Sequence, residues 1–290
     1  MTEMLQHLVN GLSITGVYVL GAVGFNLLFG VLKIANFAHG AFVALGAYTV
    51  LLLVVDAGTS YMVAIVTAIV VAGMGGVILE RGLLRFTGSM ELVLVGTLGV
   101  ASFMEEGLLL WVGGDTRTIP TQVNGSIDFA DLHVQNQSVA TILVSVVTIA
   151  VLSLVLYRTL PGRMVRAVAE EPEGAESIGI NVGLIRAVVA AVAVALAALA
   201  GALLAPAAAL QPFMGQPLLI TAFLIGILGG LGSFPGAVVA AVVLGVSESL
   251  VSGYLGAMWS ELFSFGLVIT LLVVRPTGLF RTTQSESAHA

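Results

Sequence analysis

Few side chains in this sequence can do chemistry, and most of them lie inside apolar runs. Glu105 and Glu106 fall in the final third of the run 90–112, Glu248 late in the run 235–252, and Glu261 near the start of the run 259–274. A carboxylate at the centre of a membrane helix costs about 2.5–3.5 kcal/mol on insertion scales, and less near the interface. Each must therefore face a cavity, find a partner or sit at the surface. One use for Glu105 or Glu106 is a vestibule that tolerates an ammonium group; the plainer reading is interfacial placement with water or helix–helix hydrogen bonds. His39 is the only histidine inside an apolar run, which leaves it a hydrogen bond to a neighbouring helix, a substrate contact or a proton relay. No second histidine or cysteine stands near it at ligand spacing, so no metal site is indicated. Asn36 beside it suits a helix start, where its side chain satisfies backbone as an N-cap does.

Catalytic patterns are missing. There is no nucleophile elbow G-x-S-x-G, no phosphate loop G-x-x-x-x-G-K-[ST] and no cysteine; no Ser-His-Asp arrangement can be argued from these positions, and a Walker-type ATPase and thiol chemistry are excluded. The reading is that of a protein that is not an enzyme. If its action consumes energy, a partner or an ion gradient must supply it.

The elements that position these residues follow from composition. Of 290 residues, 58% are hydrophobic and 9% charged, against roughly a quarter charged in soluble domains. That is an all-α polytopic membrane protein set in lipid. A net charge of −6 gives no basic face for nucleic acid. The start, MTEMLQH, lacks the positive residues of a secretory leader, so the first run is expected to remain. Nine runs are candidate spans: 8–29, 34–55, 61–79, 90–112, 139–157, 184–206, 217–231, 235–252 and 259–274. The seventh is short against the ~20 residues a crossing needs, so eight or nine crossings are expected.

Arginine placement sets the orientation. Arg81 and Arg85 share one loop, Arg158, Arg163, Arg166 and Arg186 flank another, and Arg275 and Arg281 follow the last run. The positive-inside rule puts these in the cytoplasm and the acidic loop 113–138, with Asp115, Asp128 and Asp131, outside. The N-terminus is then outside, the C-terminus inside, and the four glutamates lie in outer parts of their helices. The chain reads as one permease-like domain over 1–290 with a frayed tail at 282–290. Glycine-rich pairs, Gly226 with Gly230 and Gly201 with Ala205, read as helix-packing faces. Two interruptions look different: NFAHG (36–40, with Asn36, His39 and Gly40) and GGLGSFPG (229–236, with Gly229, Gly230, Ser233 and Pro235). Paired helix breaks can mark a translocation pathway; for the second, a tight cytoplasmic turn is the plainer reading.

Between Arg158 and Gly183 lies the longest polar stretch with several arginines. Thr159-Leu160-Pro161-Gly162 signals a turn. Arg163 to Glu170 favours helix, with Arg166 and Glu170 at i,i+4 spacing. Pro172 suits a first helical position and Glu173 and Glu176 its first turns, giving a second short helix near 172–179, with Gly179 and Asn181 as stop residues.

EGAESIG (173–179) resembles the EAA-type signature of ABC importer permeases, matching at Glu173, Ala175 and Gly179, with Gly174 in place of the first alanine. Together with RAVAEEPEGAESIGINV (166–182), NFAHG (36–40), GGLGSFPGAVVAAVVLG (229–245) and RPTGLF (275–280), the chain from Leu8 to Phe280 is similar to the LivH-type permeases of branched-chain amino acid ABC importers. The resemblance implies a second, related permease, two cytoplasmic ATPases that carry the ATP and Mg, and an extracytoplasmic binding protein that delivers substrate. It implies that residues 158–183, through Arg163, Arg166, Glu170, Glu173, Ala175, Gly179 and Asn181, couple the ATPases to the membrane helices. No cofactor is expected in this chain. Urea or short amides are an alternative substrate within the superfamily. A proton-coupled carrier using the Glu pair and His39 is an alternative of another class.

Overall fold

The computed structural model describes residues 2–86, 89–129, 132–275 and 278–280. In chain order it contains α1 (Thr2–Leu32), α2 (His39–Leu51, extended by a wide turn Leu52–Asp56), α3 (Tyr61–Leu79, extended by a wide turn Glu80–Leu84) and α4 (Met90–Val112). A hairpin of β1 (Ser126–Phe129) and β2 (Leu132–Gln135) follows, then α5 (Asn136–Arg158), α6 (Leu160–Glu170), α7 (Pro172–Ser177) and α8 (Val182–Leu204). The last elements are α9 (Gly215–Gly229), α10 (Phe234–Leu255) and α11 (Ala257–Val274). Eight helices among the described residues are long and apolar enough to cross a membrane: α1 to α5, α8, α10 and α11. Helix α9 has 15 residues, about 22 Å at 1.5 Å per residue, short of a ~30 Å hydrocarbon core.

Helix starts are written locally. Ser60, Ser89, Thr159, Asn181 and Ser233 each accept a first-turn backbone N–H, from Val63, Leu92, Gly162, Leu184 and Gly236, as N-caps do. Asn181 therefore opens α8 rather than closing α7, contrary to expectation: an Asx side chain satisfies orphan donors better than it ends a helix. Gly179 does end α7, with φ +87° and its N–H donated to the Glu176 carbonyl. Gly230 also has φ +98° and ends α9, so Gly226 and Gly230 do not share a helical face.

Helices α1 and α8 form the centre. In their most apolar windows 83% and 72% of residues are buried, against 17% in α5 and in α11. Helix α1 packs between α8 and α10, and α8 receives α2 and α3. Small residues allow this. A Cβ on Gly46 would strike the Ala198 carbonyl, and one on Gly201 the Val43 carbonyl, so α2 and α8 cross at backbone contact. The expected packing role of Gly201 is found there.

The β-hairpin was not anticipated in an all-α reading. Ser126 pairs with Gln135 in an antiparallel ladder, and Gln6 of α1 bonds both the carbonyl and the N–H of His133 at 3.0 Å. Residues Arg117 and Leu210 exchange backbone hydrogen bonds of 3.1 and 2.8 Å. The loops after α4 and α8 thus meet on one side of the bundle, that of the start of α1. The α6–α7 pair and the 230–233 turn lie at the other end of α1. The tail 282–290, Asp131 and Arg281 lie outside the described residues.

Candidate functional site

Two regions carry the candidate residues. The first is the hairpin of α6 and α7. Thr159 caps α6, and Gly162 lets the chain turn back onto α5, since a Cβ there would strike the carbonyls of Val155 and Leu156. Arg166 does not turn toward Glu170. It donates to the Leu156 carbonyl and stands 5.4 Å from the centroid of Tyr157. An ion pair with the exposed Glu170 would be screened by water and worth little, whereas the orphan carbonyls at the end of α5 need donors. Tyr157 in turn meets Phe234 edge-on at 6.1 Å, linking α6 to the start of α10. Ala175 is buried with Leu28 and Val31 of α1, Val168 of α6 and Ile185 of α8. Arg163, Glu170, Glu173, Glu176, Ile178 and Gly179 are exposed. One face of α7 is therefore seated on the membrane helices and the other is free.

The second region is the pair of helix breaks. Residues 33–38 are not helical, so the span expected from 34 begins at His39. His39 Nε2 lies 2.9 Å from the Gly21 carbonyl, well within α1, and Phe37 N–H donates to Thr97 Oγ within α4 at 3.3 Å. The break is thus at helix-interior depth, and protein side chains and carbonyls satisfy it. Asn36 Oδ1 accepts from Ala38 N–H at 3.0 Å, much as expected of a capping side chain, while its buried Nδ2 has no partner. Lys33, in left-handed backbone with φ 60°, donates its ammonium to the Gly30 carbonyl at 2.6 Å; partial burial lowers its pKa below the ordinary lysine value.

The 229–236 break is a turn held from three directions. Asn26 of α1, 1% exposed, accepts from Gly232 N–H at 3.0 Å and donates toward the Ser233 and Gly230 carbonyls at 3.2 and 3.4 Å. Ser233 caps α10, with Pro235 in its first turn. Residues 279 and 280 donate to the Leu228 and Gly229 carbonyls at 2.8 and 3.2 Å, which brings the end of RPTGLF onto GGLGSFPG. A cavity of about 530 Å³ lies between this turn and α6, with Asn26, Lys33, Tyr157, Arg166 and Ser233 on its wall. An amide well inside an apolar run is a costly placement that signals a specific partner, but the run 8–29 also holds Asn10, and the sequence does not say which of the two has one. Replacing Asn26 with leucine is expected to leave its buried backbone partners unpaired at about 1–3 kcal/mol; a lowered melting temperature together with lost transport would register it.

The glutamates separate. Glu105 is 4% exposed and accepts from Gln216 Nε2 at 2.9 Å, whereas Glu106 is exposed. Glu248 of α10 is half-buried beside Tyr18 of α1, with Glu261 nearby. Tyr18 also lines a small pocket with Gly21 of α1 and His39 of the NFAHG break. Gly40 and Gly215 touch through backbone, so the starts of α2 and α9 meet. Gln216, in the first turn of α9, leaves no mark in the sequence of a partner 111 positions away.

Among the described residues no group of His, Cys, Asp or Glu could hold a metal ion. A bundle with eight helices long enough to span, one interruption at helix-interior depth, a clasped turn and a polar helix pair at one end is that of a multi-pass membrane protein. A family model described as "Branched-chain amino acid transport system / permease component" matches residues 7–272, and the chain belongs to that family, which makes it a transport permease component rather than an enzyme. It is 31% identical to the high-affinity branched-chain amino acid transport system permease protein LivH of Escherichia coli (strain K12), over 97% of each chain. It is 32% identical to BraD of Pseudomonas aeruginosa, again over 97% of each. To LivM of Escherichia coli (strain K12) it is 25% identical, over 94% of this chain and 70% of LivM. These relatives and the eight apolar helices make it a multi-pass inner-membrane protein.

Proposed function

We propose that this chain is the permease subunit of an ABC importer that takes up branched-chain and other hydrophobic amino acids, driven by ATP hydrolysis on partner subunits. The observation that carries the reading is the α6–α7 pair, whose inner face is locked to α1 and α8 through Ala175 and whose acidic outer face is free. A short exposed helix so firmly seated is suited to receive a partner and pass its movement inward. Relatives named as branched-chain amino acid permeases support the substrate. Similarity to both LivH and LivM supports a sister permease beside this one. Two ABC ATPases binding ATP and Mg and an extracytoplasmic binding protein complete the assembly, and the chain itself carries no cofactor.

In this reading 1–290 is one permease domain, with residues 158–183 and the C-terminus in the cytoplasm and the N-terminus and 113–138 outside. The arginines of the loops at the α6–α7 end support that orientation. Arg163, Glu170 and Glu173 meet the ATPase, while Arg166, Ala175, Gly179 and Asn181 fix the shape they are presented on. The pathway runs past Asn36, His39 and Gly40 and the turn Gly229, Gly230, Ser233 and Pro235, with Glu105 above them and Glu106 and Glu248 toward the outer rim. Reconstitution of the complex purified from native membrane tests this. ATP-dependent uptake of leucine but not urea is expected, with ATPase chains present and no transport by this chain alone. Uptake by the isolated chain without ATP would overturn it.

A further inference from the structure

Beside the meeting point of α2 and α9 is a second cavity, of about 360 Å³. Its walls are apolar, formed by Phe25, Phe37, Leu98, Leu219, Ile220 and Phe223, and its polar groups are Glu105, Gln216 and Ser102. Ligand pockets span about 300–1,000 Å³ and combine apolar walls with a few placed polar groups; this one has the size for a small molecule. The carboxylate is what needs an explanation. Glu105 is 4% exposed, and among the described residues Gln216 is its one hydrogen-bond donor, through Oε2. A buried carboxylate with a single neutral donor lacks a positive partner, and its second oxygen has acceptor capacity in reserve.

We propose that this cavity is a transient binding station for a zwitterionic hydrophobic amino acid, whose ammonium pairs with Glu105 and whose side chain lies against Phe25, Phe37 and Phe223. The inference rests on the importer reading and names the residue that selects within it. An ammonium brings three donors and the missing positive charge. The starts of α2 and α9, in contact at Gly40 and Gly215, reach the cavity wall at Gly40 and Gln216, and helix N-termini suit the acid end of a zwitterion. Leu98, Ile220 and Phe223 are exposed, so the cavity opens at the outer face of this chain's bundle between α4 and α9. Gln216 is a positioning residue that orients the carboxylate.

The assembled complex, reconstituted in liposomes, tests this with a diazirine analogue of leucine and its counterpart lacking the amine. Light is expected to attach the amino analogue to α4 or α9, excess leucine to prevent it, and the amine-free counterpart to label about tenfold less. Glu105→Gln should cut both labelling and leucine uptake about tenfold, at unchanged melting temperature and with ATP hydrolysis still stimulated. Glu105→Asp should recover part of the loss, and Asp115→Asn, exposed in the loop after α4, should behave as wild type. Labelling elsewhere, equal labelling by the amine-free analogue, or wild-type behaviour of Glu105→Gln overturns the station. If wild type takes up leucine with ATP while the cavity is unlabelled, the station fails and the importer stands. If wild type takes up no branched-chain amino acid, the importer reading itself fails.

Discussion

Replacing Ala175 with tryptophan is expected to separate ATP hydrolysis from uptake in the assembled importer. Ala175 is 3% exposed and sits among Leu28, Val31, Val168 and Ile185. An indole cannot be placed there without lifting α7 from α1 and α8. Overpacking a filled site costs about 1–3 kcal/mol, and α7 has six residues, too few to hold itself once unseated. Its outer residues, Glu173 and Glu176, stay exposed and so remain available to the ATPase of the proposed assembly. The ratio of leucine transported to ATP hydrolysed should fall about tenfold or more, because each 1.4 kcal/mol lost from the seated state shifts its population tenfold. Glu173→Arg is the informative companion. Glu173 is exposed, so the permease should keep its melting temperature while coupling falls through the partner contact alone. Normal coupling in both variants would remove the α6–α7 hairpin from the mechanism.

The second large effect is expected at the crossing of α2 and α8. Gly46→Val or Gly201→Val puts side-chain atoms where the Ala198 or Val43 carbonyl already lies. A flexible side chain could move aside; a helix backbone cannot without spreading the two helices. That spreading opens the core around Tyr48 and Leu203, both of which are buried. A cost at or above about 3 kcal/mol is expected, read as a steep drop in folded yield and in thermal unfolding temperature. Gly99→Ala in α4 is the control, since nothing lies within 4 Å of a Cβ there; better helix propensity should leave that variant as stable or slightly more so. Comparable losses at Gly99 and Gly46 would show that backbone contact is not what the glycines provide.

How much of this was legible in the sequence depends on whether the signal is local. The spans, the short α9 and the α6–α7 pair come from hydropathy length, capping residues and prolines, all read within a few positions. Asn181 was misread because a stop and a start lie only two residues apart after Gly179, and both tolerate an asparagine. The break at 33–38 cost the second span its first turn: the residues are apolar enough to extend a run, and only contacts with Gly21 and Thr97 reveal that the chain there is not helical. The β-hairpin escaped because its docking partner, Gln6, lies 127 residues away. Long-range pairs such as Asn26 with Gly232 or Glu105 with Gln216 leave no pattern in one sequence. The unlike fates of Glu105 and Glu106 follow from helical geometry, which turns adjacent side chains about 100° apart; which of the two would face inward needed the neighbouring helices.

Within a turn and a half of α1, Asn26 clasps the 230–233 turn while Leu28 and Val31 carry Ala175. Both attachments ride on one stretch of rigid helix, with no loop between them to absorb motion. In the proposed coupling, a displacement received at α7 and conveyed to α1 would reach the base of α10 along the same helix. The helix works as a common shaft, and any substitution that adds play to it should blur the timing of events at both ends together.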